Sequence, residues 1–498
     1  MKRLLLIFFY SLILVSISFA QLVSSSKAKS VAKNIFNERK ESAKVAITDD
    51  DIKAETLIKY QNVPVFYVFN IKSDGFVIVS ADKRIMPVIG YSFENNFDSE
   101  NLPDGLKWLL NEYKKQTYKI ITQNLSDESI EIKEAWAKYE SNNFAKDNEE
   151  ILAVAPLLTT KWSQGCFYNQ QCPADASPQA DCGRTPPGCV AVAFAQIMKY
   201  HNYPAKGLGS KSYSDPPYGT LSANFGATTY NWAAMPNSIS SNNKEVATIL
   251  YHCAISINSE FAPPGTNAYT TDVRKALVNN FKYSTSAQCI NKTSYSSTQW
   301  NNLILGELNA QRVVMISGYD THLKCGHAFV CDGYQTNNYF HFNWGWGGSD
   351  DGYFYLNALN PDDCAFNSQV DATIGIKPST TFDGCSGTTN LTAASGTFSD
   401  GSGASNYNNN LSCKWLIKPV NAGSVTLNFT FFNTQSNYDK IKIYNGETTS
   451  STLLATYSGS SIPASVTSNT GKMLVYFTTN GSTTSSGWDA KYTSAPPT

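Results

Sequence analysis

All 11 cysteines of this 498-residue chain fall between positions 166 and 413, and that confinement divides the chain before any element is assigned. Residues 21–150 hold none and are rich in Lys and Glu, so they read as a separate module. An odd count in an exported chain leaves one cysteine over, with ten able to form five bridges. Export is read from residues 1–20: Lys2-Arg3, an apolar run from Leu4 to Val15, then Ser18-Phe19-Ala20 with small residues where a signal peptidase reads. No later run approaches the roughly 18–20 apolar residues that span a bilayer, so the mature chain is expected to be secreted, extracellular and without a transmembrane anchor. The net charge is −1, from 39 basic and 40 acidic residues, with no basic stripe. Nucleic acid and anionic membranes are therefore poor partners.

A chain of this length is expected to form about three domains. In the first block, Val65 to Ile71 and Gly75 to Val79 are β-rich runs broken by Lys72-Ser73-Asp74, the pattern of a hairpin. Leu106, Leu109, Leu110 and Tyr113 follow at one-face helical spacing. Residues 124–150 are polar and acidic and read as an exposed connector, where proteolytic nicking concentrates; a maturation cut is expected between about Asn143 and Ala155. The second block, residues 151–377, has helical runs first (from Cys189 and from Val246) and strands second (Val313 to Ile316, Ala328 to Cys331, Tyr339 to Phe342, Tyr353 to Leu356). That order predicts an α+β fold with a cleft between the halves. After Lys377-Pro378-Ser379-Thr380-Thr381 the chain is rich in Ser, Thr, Asn and Gly. Val425, Leu427, Phe429 and Phe431 alternate with polar residues, and Ile441 and Ile443 precede the turn pair Asn445-Gly446, a β-sandwich pattern.

Cys189 stands after Pro187-Gly188 and opens an Ala-rich apolar run that meets no Gly or Pro before Pro204. In the first turn of such a helix, unpaired N–H groups and the helix dipole favour thiolate over thiol. A packed or disulfide-bonded cysteine is the ordinary alternative. A thiolate nucleophile also needs a base, an orienting group and oxyanion donors. Of five histidines, His201 sits about 18 Å along the same helix at ~1.5 Å per residue, His252 lies within a helix and His322 in a polar loop. His327 opens an apolar strand, 138 residues after Cys189, inside the roughly 130–150-residue interval of papain-like enzymes. His341 is its competitor. Asn343, 16 residues after His327, can accept from the imidazole, and Trp344 can shield that bond from water. Gln164 offers a side-chain amide which, with the Cys189 N–H, makes a two-donor oxyanion hole.

The stretches Pro156-Leu157-Leu158-Thr159-Thr160-Lys161-Trp162-Ser163-Gln164, Gly188-Cys189-Val190-Ala191 leading to Gln196-Ile197-Met198-Lys199-Tyr200-His201-Asn202-Tyr203-Pro204, Gly326-His327-Ala328-Phe329-Val330-Cys331-Asp332-Gly333-Tyr334 and Asn343-Trp344-Gly345-Trp346-Gly347-Gly348 resemble the streptopain family of cysteine peptidases. Gly75-Phe76-Val77-Ile78-Val79-Ser80-Ala81-Asp82 and Val88-Ile89-Gly90-Tyr91-Ser92 resemble its inhibitory propeptide. Residues Cys385-Ser386-Gly387, Gly396-Thr397-Phe398, Cys413-Lys414-Trp415-Leu416-Ile417, Tyr438-Asp439-Lys440-Ile441-Lys442-Ile443-Tyr444-Asn445-Gly446 and Gly487-Trp488 resemble a CUB domain. After the signal peptide (1–20), the resemblance implies an α+β inhibitory propeptide (21–150), an α+β papain-like catalytic domain (151–377) and an all-β CUB sandwich (381–498). It implies Cys189 as nucleophile, His327 as general base and acid, Asn343 and Trp344 as supports of the histidine, and Gln164 in the oxyanion hole; His341 becomes a strand residue near the site. Cys385 with Cys413 is the first CUB disulfide by the same resemblance. Some CUB domains bind calcium through a Glu and two Asp; here Asp439 alone remains, with Gln435 and Asn480 at the other places, so no metal and no cofactor is expected.

The implied function is a secreted cysteine endopeptidase made as a zymogen, cleaving peptide bonds through a Cys189 thioester. Its partners are protein and peptide substrates, its own propeptide as inhibitor, and an unidentified protein or glycan ligand of the CUB domain. Two other readings share these residues: an adhesive CUB protein with a vestigial peptidase, against which the intact Gln164, Cys189, His327 and Asn343 count, and a papain-like acyltransferase of the transglutaminase kind, which crosslinked rather than cleaved products would reveal.

Overall fold

A computed structural model describes residues 21–40, 46–125, 129–141, 153–320, 325–335, 338–356, 370–379, 388–400, 402 and 406–497. The expected signal peptide and most of the expected maturation segment lie outside these. The chain forms two compact units, one of residues 1–281 and 286–377, the other of residues 282–285 and 378–498.

In the first unit, α1 (Ser25–Arg39) is followed by four strands, β1 (Ile52–Tyr60), β2 (Val63–Ile71), β3 (Phe76–Ser80) and β4 (Val88–Ser92), then by α2 (Asp104–Thr122) and α3 (Ile130–Glu140). The expected hairpin is β2–β3, turning through Asp74 and Gly75, both at positive φ. The expected connector is instead partly helical. Ile132, Trp136 and Tyr139 recur on one face of α3 and are buried, the Trp136 indole donates to Ile85 O at 2.8 Å, and Asn34 of α1 donates to Tyr139 O at 2.8 Å. Three apolar residues at i, i+4 and i+7 suffice to dock an otherwise polar helix, which a composition-based reading passes over.

Beyond residue 152 come α4 (Cys189–His201), a hairpin of β5 (Lys211–Asp215) and β6 (Gly219–Ala223), α5 (Lys244–Ser256), α6 (Thr270–Phe281), β7 (Gln288–Asn291) and α7 (Ser297–Asn309). The strands β8 (Val314–Asp320), β9 (Cys325–Gln335), β10 (Tyr339–Asn343), β11 (Gly352–Tyr355) and β12 (Val370–Ile374) complete the unit. Helices precede sheet, as the sequence predicts. A single ten-stranded sheet runs β1-β2-β3-β4-β11-β10-β9-β8-β12-β7. Its first four strands join the other six through the antiparallel pairing of β4 with β11, Tyr91 opposite Tyr353 and Gly90 opposite Phe354. Gly90 is required there, because a Cβ would lie 2.4 Å from the Phe354 ring. Residues on β3, β4, β10 and β11 are all buried, and one apolar core runs through both halves, with Tyr91 packed against Tyr339 and Tyr353 at 5.4 and 5.3 Å between ring centres.

The second unit is a sandwich of one five-stranded and one four-stranded sheet around Trp415 and Trp488, 5.0 Å apart. The predicted alternation holds for Val425, Leu427 and Phe429 and then breaks. A bulge between Phe429 and Phe431 turns Phe431 outward, 42% exposed, and brings Phe432 inside, because an extra residue in one strand reverses the facing of every residue after it.

The expectation of a single spare thiol is overturned. Cys166 and Cys182 form a disulfide and Cys413 is disulfide-bonded, its expected partner Cys385 lying outside the described residues. Cys172, Cys189, Cys253, Cys289 and Cys331 are free. Cys172, Cys253 and Cys331 are fully enclosed, where cysteine packs as a small apolar side chain and burial pushes each thiol's pKa up.

Candidate active site

The chain turns into α4 through Gly188, at φ +90°, where a Cβ would meet Thr266 O at 2.8 Å. Val190 to Met198 are buried along the helix, and Asn202, in the left-handed region, ends it. Cys189 thus occupies the first turn, as predicted. Its half-buried Sγ accepts the Ala328 N–H at 3.4 Å. The thiol nonetheless sits above its ordinary pKa: burial raises it, the Ala328 and Val190 amides pull it down, and the Asp104 carboxylate pushes it up again. The helix N-terminus favours thiolate; removal from water opposes it and prevails.

His327, on β9, lines the same cleft as Cys189, a space of about 460 Å³. Burial lowers its pKa, against a raising effect from Asp104 and with a lowering one from Lys107. A thiol pushed up beside an imidazole pushed down is a neutral pair. Burial is the larger cause of both shifts; α2 adds smaller electrostatic effects through Asp104, which raises both groups, and Lys107, which lowers His327, and its Trp108 lies on Gly318, the β8 residue opposite His327. A Cβ on Gly318 would be 2.4 Å from the Trp108 ring, and one on Gly105 would be 2.9 Å from Trp344. Two glycines therefore let α2 seat directly beside Cys189 and His327, and the buried Trp108 adds the packing of a large aromatic, worth about 3–5 kcal/mol against alanine.

Asn343, Trp344 and Gln164 are placed differently from Cys189 and His327. Asn343 is buried at the end of β10; its Oδ1 accepts from Gln196 Nε2 at 2.9 Å and from Gly345 N at 3.0 Å, and its Nδ2 donates to Thr160 O at 2.8 Å. Among the described residues His327 makes no side-chain hydrogen bond, to Asn343 or to any other. Trp344 is buried beneath Phe329, 4.7 Å between ring centres, and donates from Nε1 to Asp350 O. Gln164 is half-buried in the turn between Trp162 and the Cys166–Cys182 loop and does not line the cleft. His252 bonds Tyr230 Oη at 2.9 Å, and burial lowers the pKa of both His252 and His201 to about 4. His322 lies outside the described residues.

Residues 162–354 match the peptidase C10 family, residues 20–117 the Spi protease inhibitor family and residues 385–492 the CUB domain. Streptopain of Streptococcus pyogenes is 34% identical over 342 residues, covering 63% of this chain and 80% of that protein. The thiol protease/hemagglutinin PrtT of Porphyromonas gingivalis is 33% identical over 383 residues, covering 72% of this chain and 42% of that protein, so the chain spans less than half of it. Among solved structures, a fragment of Prevotella intermedia prointerpain A is 30% identical with a TM-score of 0.53, covering 66% of this chain and all of the fragment. The chain belongs to the peptidase C10, or streptopain, family.

It is a cysteine peptidase with a papain-like catalytic domain, an N-terminal inhibitor domain and a C-terminal CUB domain, the fold class that the sequence implies. The CUB calcium position does not suit a hard cation. Both Asp439 oxygens take protein donors, Tyr407 Oη at 2.6 Å and Asn480 N at 2.8 Å, and Asn480 Nδ2 donates to Gln435 Oε1 at 2.9 Å. Amides stand where a cation needs charged oxygens.

Sequence reasoning missed how the inhibitor domain is tied to the peptidase. His341 is buried on β10 with Nδ1 2.6 Å from Asp332 Oδ1 and Nε2 3.1 Å from Glu94 Oε1 of the inhibitor domain. Glu94 also meets Lys161 Nζ at 2.8 Å. Burial alone would lower the His341 pKa, but the two carboxylates outweigh it and raise it to about 10; burial would raise that of Glu94, but His341 and Lys161 lower it to about 2. A histidine held protonated cannot serve as a general base. The buried Asp351, pushed up to about 7 by burial, faces the same group. The raised His341 contributes fully below its ordinary 6.5 and is lost as pH rises through about 10; the lowered Glu94 contributes above its ordinary 4.5 and is lost as pH falls through about 2.

Glu94→Gln should therefore loosen the inhibitor domain, with maturation of the precursor by a trace of active enzyme about tenfold faster, given about 1–2 kcal/mol for a partly exposed charged bond. The gap from wild type should be widest between pH 4.5 and 6.5 and narrow on either side. Gel time courses at several pH values check this, and equal rates throughout would remove the latch.

Proposed function

We propose that this chain is the zymogen of an exported cysteine endopeptidase, with Cys189 as nucleophile and His327 as general base and acid. The observation that carries the reading is that Cys189 and His327 face one cleft beside which the inhibitor helix α2 is seated. Once α2 leaves, water reaches the pair and the burial cost of a thiolate and an imidazolium falls. His327 takes the Cys189 proton, Sγ attacks the scissile carbonyl carbon, and the oxyanion is met by the Cys189 N–H and the Gln164 amide. The C–N bond breaks as His327 returns the proton to the leaving amine, leaving a thioester. Water, its proton taken by His327, then attacks the thioester; the acid is released and Sγ is reprotonated. Trp344, beneath Phe329, steadies the strand that carries His327.

The export segment, residues 1–20, and the acidic stretch before Pro156 support secretion and a maturation cut between about Asn143 and Ala155. The CUB domain is proposed to hold protein or glycan targets near the peptidase.

Cys189→Ala should abolish cleavage and leave the precursor accumulating with its fold intact. His327→Ala should inactivate fully, while His341→Ala should retain part of the activity in whatever fraction folds, because it leaves the buried Asp332 unpaired. Hydrolysis of a fluorogenic peptide, with circular dichroism alongside, checks the order; a more active His327→Ala would reverse the assignment.

Deleting residues 381–498 should leave turnover of a small peptide within about twofold and slow that of an immobilised protein, because a tethered binding domain raises effective concentration. Equal loss on both substrates would make the CUB domain part of the enzyme itself.

A further inference from the structure

Gln196 is fully buried on α4, seven residues after Cys189. Two helical turns return nearly to the same face, so Cys189, Val192 and Gln196 share the stripe of α4 that meets the loop after β10. The fit is close: Gly345, at φ +74°, would place a Cβ 3.1 Å from Val192 and 3.9 Å from Gln196 Nε2. Gln196 uses both ends of its amide. Oε1 accepts the Trp162 N–H at 3.2 Å and Nε2 donates to Asn343 Oδ1 at 2.9 Å. Asn343 in turn donates to Thr160 O at 2.8 Å, and Gly347 N–H donates to Trp162 O at 3.1 Å. The backbone of residues 160–162 is thus gripped at Thr160 O, Trp162 N and Trp162 O, two residues before Gln164.

We propose that Gln196 is a positioning residue for the peptidase reaction, and that with Asn343 it holds the 160–164 segment in register with Cys189, so that the Gln164 amide and the Cys189 N–H converge on one oxyanion. This rests on the assignment of Cys189 and Gln164 under the proposed function. The geometry favours this over support of His327. With two N–H groups on Asn343 Oδ1, the amide has no strong acceptor direction left for an imidazole. One buried side chain therefore connects the nucleophile helix, the oxyanion segment and the β10 loop, and a fully satisfied amide pair of this kind fixes a single arrangement.

The test uses the full-length chain carrying Gln196→Met or Gln196→Glu, matured by immobilised wild-type enzyme that is then removed. Two reactions are read: hydrolysis of a fluorogenic peptide, which needs the oxyanion donors, and alkylation of Cys189 by iodoacetamide, which needs the thiolate and His327 but no oxyanion hole. The expected result for Gln196→Met is a fall in kcat of about ten- to a hundredfold, short of or equal to the loss of one donor, with KM within about twofold and the rate and pH profile of alkylation unchanged. Gln196→Glu keeps the acceptor for Trp162. It should recover activity as pH falls, because a protonated carboxyl can again donate to Asn343 Oδ1. That pH-dependent rescue is not expected of a residue that only fills space, and it decides the matter if Gln196→Met folds poorly. Unchanged kcat in both variants overturns the proposal. A shifted alkylation profile also overturns it, by placing the effect on His327. Peptide hydrolysis absent in the wild-type control would instead count against the proposed function.

Discussion

The antiparallel seam between β4 and β11 is the contact on which the first unit depends, because it makes one sheet and one core out of two modules. Backbone pairing at Tyr91 and Gly90 brings Glu94 to His341 and Lys161, and the chain that follows starts α2 beside Cys189 and His327. Ring contacts of Tyr91 with Tyr339 and Tyr353 reinforce the seam, as does the Tyr91 hydroxyl, which donates to Gln335 Oε1 at 2.6 Å. A helix placed by sheet continuity is seated beside the proposed catalytic pair, and burial disfavours the charged form of each member.

Two polar clusters divide the work around β10. On one side, His341 with Asp332, Glu94 and Lys161 belongs to the attachment of the inhibitor domain. On the other, Asn343 with Gln196, Thr160 and Gly345 belongs to the internal bracing of the peptidase. Both start from residues two apart on one strand, and both reach the segment before Trp162, His341 through Glu94 to Lys161 and Asn343 directly to Thr160 O. The same short segment therefore carries the restraint of the precursor and the alignment of the enzyme.

The sequence made the local chemistry legible. Cys189 after Gly188, an apolar helical run and a histidine at a strand start follow from short-range rules, and each stands where those rules place it. The spacing of Gln196 from Cys189 was a readable signal as well, two turns along one helix, though its bonding partners lie in distant segments. Charge balance across modules could not be read: nothing local links Glu94 to His341, 247 residues apart, and burial, the larger cause of the thiol's raised pKa, comes from tertiary packing. The bulge after Phe429 was equally hidden, since one inserted residue leaves the composition of the strand unchanged while reversing its faces. Parity of the cysteine count misled because burial, rather than pairing, accounts for most of the free thiols.

The central claim is that α2 suppresses the catalytic pair by keeping Cys189 a thiol. The most direct measurement is the rate of Cys189 carboxamidomethylation by iodoacetamide as a function of pH, read residue by residue by mass spectrometry, on the full-length chain captured before processing and on the matured enzyme. Cys172, Cys253 and Cys331 serve as buried internal references. The account predicts slow labelling of Cys189 in the precursor, rising only towards alkaline pH, and fast labelling in the matured enzyme that persists into the acidic range. Identical pH profiles for the two forms would contradict it.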